Sequence, residues 1–374
     1  MLEKMANIKE NDAYLKEQIL TYLGNKRSLL GFINQGVDIA KKELSKDKLS
    51  VGDLFSGSGI VSRNLKQHAS YIVANDLELY SKITNECYLF NADFEFKKEL
   101  EDLNKKLNQN IQTSLKDGFL SRLYAPLCDD DIKDNERVFY TRKNAIFLDT
   151  ARQEIQSLDE DLKKFFIAPL LYEASNKANT SGVFKGFYKN KDGKGEFGGS
   201  GKNALKRIMA DIVLPVPVFS NFNVKYDVFN KDSNELANEL DELDLIYLDP
   251  PYNQHPYGSN YFMLNLIAKY DEPKEISKVS GITKDWNRSA YNKKAFASDA
   301  FFELIRNLKA KFILISFNSE GFISREKFEQ ELCKFGKVKI LEQKYNTFKA
   351  SRNLKNRQLH VIEYLYILKK QNKE

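Results

Sequence analysis

The sequence predicts an α/β fold, a parallel sheet wrapped by helices and interrupted by one long insertion. Three observations predict it. Short apolar, β-branched runs alternate with longer amphipathic stretches. Two of these runs stop at a carboxylate, Asp76 and Asp249. From about Tyr80 to Asn221 the rhythm lapses, and seven of the eighteen glycines crowd between Gly182 and Gly201.

In chain order, Lys26–Leu44 reads as a helix, Leu49–Phe55 as a strand, Ile60–Gln67 as a helix and Tyr71–Asp76 as a strand. The irregular stretch opens with a charged helical segment around Lys97–Leu115. It then passes an aromatic, polar connection near Val138–Asp149 and turns glycine-rich. Strands follow at Phe222–Phe229 and Leu243–Asp249, then helices at Tyr261–Tyr270 and Asp299–Leu308. A strand at Phe312–Asn318, a helix at Arg325–Phe335 and strands at Val338–Lys344 and Leu359–Leu368 complete the pattern. Residues 1–80 and 222–374 therefore form the sheet domain, and 81–221 its insertion. Ligands of open α/β sheets sit at the carboxyl ends of the strands, where both acids fall.

Composition narrows the class. Of 374 residues, 42% are hydrophobic and 12% aromatic, with the 29% charged residues interspersed, as in a globular chain. No apolar run is long enough to cross a bilayer, and Met1–Glu17 mixes both charge signs without a signal-like apolar core. A soluble, cytoplasmic protein is expected. Cys87, Cys128 and Cys333 lie far apart, as do His68, His255 and His360, so neither disulfides nor a metal site is expected. The net charge of +6 permits a nucleic-acid partner without demanding one. Its distribution is more telling: seven Lys/Arg against two acids from Lys185 to Arg207, and five against none from Lys344 to Arg357.

Three segments carry chemistry. Asp53-Leu54-Phe55-Ser56-Gly57-Ser58-Gly59 joins a strand to a helix, and its glycines let backbone pass close to a ligand. No G-K-[ST] follows, which disfavours a P-loop. Asn75-Asp76 ends the next strand, where an acid accepts hydrogen bonds from two ribose hydroxyls or caps the following helix. Together they indicate an adenosine-containing cofactor, either a nicotinamide dinucleotide or S-adenosylmethionine. In Ile246-Tyr247-Leu248-Asp249-Pro250-Pro251-Tyr252 a buried strand ends in an acid, two prolines and a ring. Prolines fix φ and remove N–H donors, leaving a rigid cluster of acceptors beside a stacking surface. Such a cluster suits a planar base bearing an amino group.

Asp249-Pro250-Pro251-Tyr252 resembles motif IV of the amino-group DNA methyltransferases, and Phe55-Ser56-Gly57-Ser58-Gly59 resembles their motif I. Tyr22-Leu23-Gly24-Asn25-Lys26 is similar to motif X, and the order matches the Dam-like alpha group of N6-adenine methyltransferases. Ile315-Ser316-Phe317-Asn318-Ser319-Glu320-Gly321 is similar to a later S-Y-N-N-E-G segment, with Phe317 and Ser319 departing from it. The middle of the chain matches loosely, through Ala178-Asn179-Thr180-Ser181-Gly182. The resemblance implies a Rossmann-like S-adenosylmethionine-dependent methyltransferase sheet with a mostly helical inserted target-recognition region. It implies a site-specific DNA methyltransferase acting on the N6 amine of adenine, within a bacterial restriction-modification system. Its partners would be double-stranded DNA and a cognate restriction endonuclease or second methyltransferase, with no membrane.

By resemblance, Tyr22 and Lys26 flank the methionine end of the cofactor, with Phe55, Gly57 and Gly59 in its turn. Asp76 holds the ribose, and Asp232, which also reads as a polar turn, contacts the adenine. By the same resemblance Asp249, which also borders the cofactor, faces the extruded target base with Pro250 and Tyr252. Lys185, Lys189, Lys191, Lys194, Lys202, Lys206 and Arg207 are candidate phosphate contacts on a glycine-rich loop expected to be mobile without DNA. Lys349 and Arg352 are further candidates. Alternatives are methylation of cytosine N4 or of adenine in RNA, and an idle recognition subunit. Cytosine C5 chemistry needs a cysteine nucleophile, and none of the three cysteines follows a proline.

Overall fold

The structure, a computed structural model, describes residues 8–252, 254–319, 321–346 and 360–371. Its sheet contains β1 (Leu49–Asp53), β2 (Ala69–Asn75), β3 (Lys225–Phe229), β4 (Leu243–Leu248), β5 (Ala310–Asn318), β6 (Gly336–Asn346) and β7 (His360–Lys370). The strand order is β3-β2-β1-β4-β5-β7-β6. Neighbours pair in parallel from β3 to β5, whereas β7 runs antiparallel to both β5 and β6. This is a doubly wound, Rossmann-like order with an antiparallel β7 inserted beside β5, as the resemblance implied. Every residue of β4 is buried, which explains its apolar run Leu245–Leu248: a central parallel strand has helices on both faces. Its one carboxylate, Asp244, is paired with Lys46 at 2.8 Å.

This order positions the site. The chain winds outward from β1 to β2 and β3, then returns to place β4 on the other side of β1. The crevice at that reversal lies beyond the carboxyl ends of β1 and β4. The turns after β2, β1 and β4 therefore meet along one sheet edge.

The insertion is mostly helical, with long helices at Phe94–Thr113, Arg142–Gln156 and Glu160–Lys177. It shares a core with the sheet domain, since Leu100, Ile111, Phe165 and Leu171 cluster with Met263 and Ile267 of the helix Phe262–Lys269. The expected connection at Val138–Asp149 is helical from Arg142 onward. The Thr141 hydroxyl caps the Asn144 N–H at 3.2 Å, and Asn144, Ala145, Leu148 and Asp149 are buried at helical spacing. Two of these four are polar, so hydrophobic periodicity concealed the helix. In Glu160–Lys177 the run Phe165–Leu171 is buried without a break, so no stripe exists to be read, and the helix contains Pro169.

Two further helix boundaries differ from expectation. The first expected helix is a 3₁₀ turn, Arg27–Leu29, followed by Leu30–Leu44, so Lys26 lies outside it. The helix expected from Asp299 begins at Lys294. No described helix is long and apolar enough to cross a membrane.

Candidate active site

The turn after β1 is built on glycines. Gly57 and Gly59 have φ of 51° and 76°, a region that side chains strain to occupy. The Gly57 N–H donates to Asp76 Oδ2 at 2.8 Å, and Asp76 Oδ1 accepts from the Glu78 N–H at 2.9 Å. The acid after β2 thus clamps the turn after β1. Asp53, the last residue of β1, accepts from the Ser62 hydroxyl at 2.6 Å. Its other oxygen is buried with no hydrogen-bond partner among the described residues. Burial pushes Asp53 and Glu78 up to about 7 and Asp76 up to about 6.

These groups line a cavity of about 840 Å³, together with Tyr22, Lys26, Phe55, Asp232 and Asp249. At its inner wall the Lys26 ammonium lies 2.7 Å from Glu363 Oε1 and 3.3 Å from Asp249 Oδ1. The longer contact is ionic and leaves that Asp249 oxygen short of a well-aligned donor. Burial opposes the charge on Lys26, yet Asp249 and Glu363 together hold it well above the ordinary lysine range. Burial raises Asp249 to about 6, with Lys26 pulling down and Glu363 pushing up. Beside it, the Tyr252 ring meets Phe317 edge-on, centroids 5.5 Å apart. The Tyr22 ring stacks on Tyr261 at 4.5 Å and Tyr257 at 5.0 Å, forming an aromatic wall.

A glycine turn, strand-end carboxylates and an under-satisfied acceptor thus meet where an α/β sheet takes its ligands. The family model of the D12 class N6 adenine-specific DNA methyltransferases matches residues 22–330. The chain belongs to that family. It is 30% identical to the type II methyltransferase M.NlaIII of Neisseria lactamica, over 94% of this chain and 99% of that one. It is 28% identical to the type II methyltransferase M.CviAII of Paramecium bursaria Chlorella virus 1, over 93% and 97%. With the type II methyltransferase M.FokI of Planomicrobium okeanokoites it shares 27% identity, over 94% of this chain and 53% of that protein.

This D12 class methyltransferase is thus an adenine-specific DNA enzyme, and the cytosine, RNA and idle-subunit readings fall away. Of the residues expected at the site, Tyr22, Lys26, Phe55, Gly57, Asp76, Asp232 and Asp249 share the cavity. Gly59 shapes the turn without lining it. Asp232 also caps the helix Ser233–Glu239 through the Asn234 N–H at 2.8 Å, so both readings of that residue hold locally. Pro250 and Tyr252 line a neighbouring cavity of about 200 Å³, which shares Pro251 and Tyr291 with the first.

Sequence reading missed Asp53, Glu78, Tyr291 and Glu363. Asp53 ends β1 as Asp76 follows β2, so the strand-end rule had the means to find it. For Glu363, near the start of β7, the sequence carried no signal.

The basic segment differs from expectation. Lys189 bridges Gly195, and the Asn190 N–H donates to the Lys194 carbonyl at 2.8 Å, closing a short hairpin. Asn179, fully buried, anchors its base by donating to the Val138 carbonyl at 2.8 Å and accepting from the Gly198 N–H at 2.9 Å. Phe184 and Phe197 are buried. The expected mobile loop is therefore a hydrogen-bonded finger, because Gly193, Gly198 and Gly199 serve left-handed turns instead of slack. Arg207, expected to face phosphate, turns inward and donates to the carbonyls of Asn176, Ala178 and Thr180. The Lys202 ammonium pairs with Glu196 at 2.6 Å, and partial burial lowers Lys185. Lys349 and Arg352 lie outside the described residues.

Proposed function

We propose that the cavity binds S-adenosylmethionine and that the enzyme methylates the N6 amine of adenine within a specific double-stranded site, as the modification partner of a restriction endonuclease. The observation that carries the cofactor reading is the charge of the cavity: Asp53, Asp76, Glu78 and Asp249 line it with a single ammonium, Lys26. A ligand with a sulfonium and an α-ammonium suits such a lining. The buried, unpartnered oxygen of Asp53 supplies an acceptor for the ammonium, and the glycine turn leaves space where a side chain would stand. Asp76 would take the ribose, and Phe55, Tyr291 and Asp232 would flank the adenine. The names of the relatives support the modification role.

When bound, S-adenosylmethionine supplies the electrophilic methyl group. The work of the chain is at the amine. The lone pair of N6 is delocalised into the adenine ring and becomes nucleophilic only if the nitrogen is drawn out of conjugation. Asp249 accepts one N–H and the Pro250 carbonyl the other, favouring a pyramidal nitrogen. Tyr252 stacks on the base, and Phe317 holds that ring edge-on. The excess proton on N6 passes to Asp249, which Lys26 keeps ionised. Methylating unmodified genomic DNA in vitro and sequencing single molecules tests the assignment. N6-methyladenine within one short motif is expected, and modification of cytosine alone would overturn the reading.

Cofactor affinity should depend on pH. The four acids titrate at about 6 to 7 in the folded protein, against about 4 in the unfolded chain. The stability they contribute is full below pH 4 and is lost as pH rises through 6 to 7. A cationic ligand opposes that loss, so its binding should strengthen about tenfold or more from pH 5.5 to 8. Calorimetry across this range checks the slope, and an affinity that is flat in pH would remove the acids from the site.

Residues 81–221 act as the target-recognition region, and the basic hairpin belongs to it. Lys189, Lys191 and Lys194 sit on or beside the Asn190–Lys194 turn, whereas Lys202 is held by Glu196. Reversing the charge of the three hairpin lysines should weaken DNA binding at every sequence. It should also reduce the salt slope by roughly one per true phosphate contact. An unchanged slope would reduce them to a solvated face.

A further inference from the structure

We infer that Glu363, an acid of the last strand, is a positioning residue for methyl transfer, setting the orientation and basicity of Asp249 through Lys26. The inference rests on Asp249 being the acceptor for the target amine.

Glu363 is 3% exposed and lies in β7, outside the residues matched by the family model. Its carboxylate accepts from the Lys26 ammonium at 2.7 Å and from the Ser316 hydroxyl of β5 at 2.9 Å. The strand register places Ser316 and Glu363 on paired strands, with Ser316 opposite Leu365. Lys26 in turn reaches Asp249 Oδ1 at 3.3 Å. An ammonium between two carboxylates, one near and one farther, is divided between them. Glu363, held from two sides, takes the shorter contact and keeps Lys26 from closing on Asp249.

That division matters for chemistry. A lysine paired with Asp249 alone would compete with the adenine amine for the same oxygen and would stabilise the carboxylate so far that it became a poorer base. A lysine absent altogether would leave Asp249 inclined to hold a proton at neutral pH. The charged and titratable groups around this chain are Lys26, Asp249 and Glu363, with Tyr252 facing Lys26, Tyr247 and Tyr257 facing both Lys26 and Asp249, and Asp53 facing Asp249. Among them Glu363 is the acid hydrogen-bonded to Lys26 and outside the cavity lining. It can therefore act on Asp249 without touching either substrate.

The test compares Glu363→Gln and Glu363→Asp in the full chain, with S-adenosylmethionine and a duplex carrying the unmethylated target site. Glu363→Gln should keep cofactor and DNA affinity within about threefold and lower kcat about 10- to 100-fold, the scale of a small misplacement of a reacting group. Removing the charge should also move the acid limb of kcat/KM to lower pH by about one unit, because Asp249 then loses a neighbouring anion. Glu363→Asp, which restores the charge, should return the limb to its parental position. Should Glu363→Gln fail to fold, Ser316→Ala decides instead. It frees Glu363 from one of its two partners, and kcat should fall about threefold or more at constant affinities. A parental kcat and acid limb in Glu363→Gln, or a parental kcat in Ser316→Ala, would overturn the inference. If Asp249→Ala proved active, the prior reading of Asp249 would fall instead.

Discussion

Asp249→Ala is expected to lower methyl transfer by about a thousandfold or more while leaving cofactor affinity within about tenfold. Asp249 is the half-buried acid after β4, with an oxygen short of an aligned donor, and an acceptor left unfilled in such a place is available to a substrate. Its main role is at the amine, and Asp53, Asp76 and Glu78 still line the cavity, so its loss falls chiefly on turnover. The substitution should also leave the fold intact. Lys26 keeps Glu363 at 2.7 Å, so no buried ammonium is left without a carboxylate, which is the usual source of large destabilisation. Tyr252→Ala should be milder and Tyr252→Phe milder still, because stacking survives the loss of the hydroxyl. A single-turnover rate for Asp249→Ala above about a tenth of the parental value would refute the mechanism.

Gly57→Ala should weaken cofactor binding by about tenfold or more, for two additive reasons. The residue has φ of 51°, where a Cβ costs about 1–2 kcal/mol. That Cβ would also stand 3.0 Å from a ring carbon of Tyr22, itself stacked on Tyr257 and Tyr261 and unable to yield freely. The turn must then shift, and with it the N–H that Asp76 clamps. Gly193→Ala is the control. Its φ of 87° carries the same backbone strain, but nothing lies within 4 Å of the added atom. Both variants should lose stability in thermal melts, and only Gly57→Ala should lose cofactor affinity in calorimetry. Equal affinities would mean that the turn does not shape the cavity.

The sequence by itself determined the sheet and the catalytic turns. Each of the seven expected strands is present; the central parallel ones, buried on both faces, are the most apolar and end in polar turns. The acids Asp76 and Asp249 were legible for the same reason, since each interrupts an apolar run at a strand end. Local backbone demands made Gly57 and Gly59 legible too. The insertion was less so. Its helices bury polar residues such as Asn144 and Asp149 or are apolar on every side, and neither pattern yields a readable period.

Tertiary structure alone decided where charges point. Lys185 to Arg207 reads as one basic run, yet Arg207 turns inward to three carbonyls and Lys202 to Glu196, leaving the hairpin lysines for the outside. Composition does not encode which side of a turn a long side chain takes. Glu363 is the clearest case. It stands 337 residues from Lys26 in sequence, and only the antiparallel insertion of β7 beside β5 brings it under the site. A strand's own pattern specifies burial, but the partner of a buried charge is chosen by the register of the sheet.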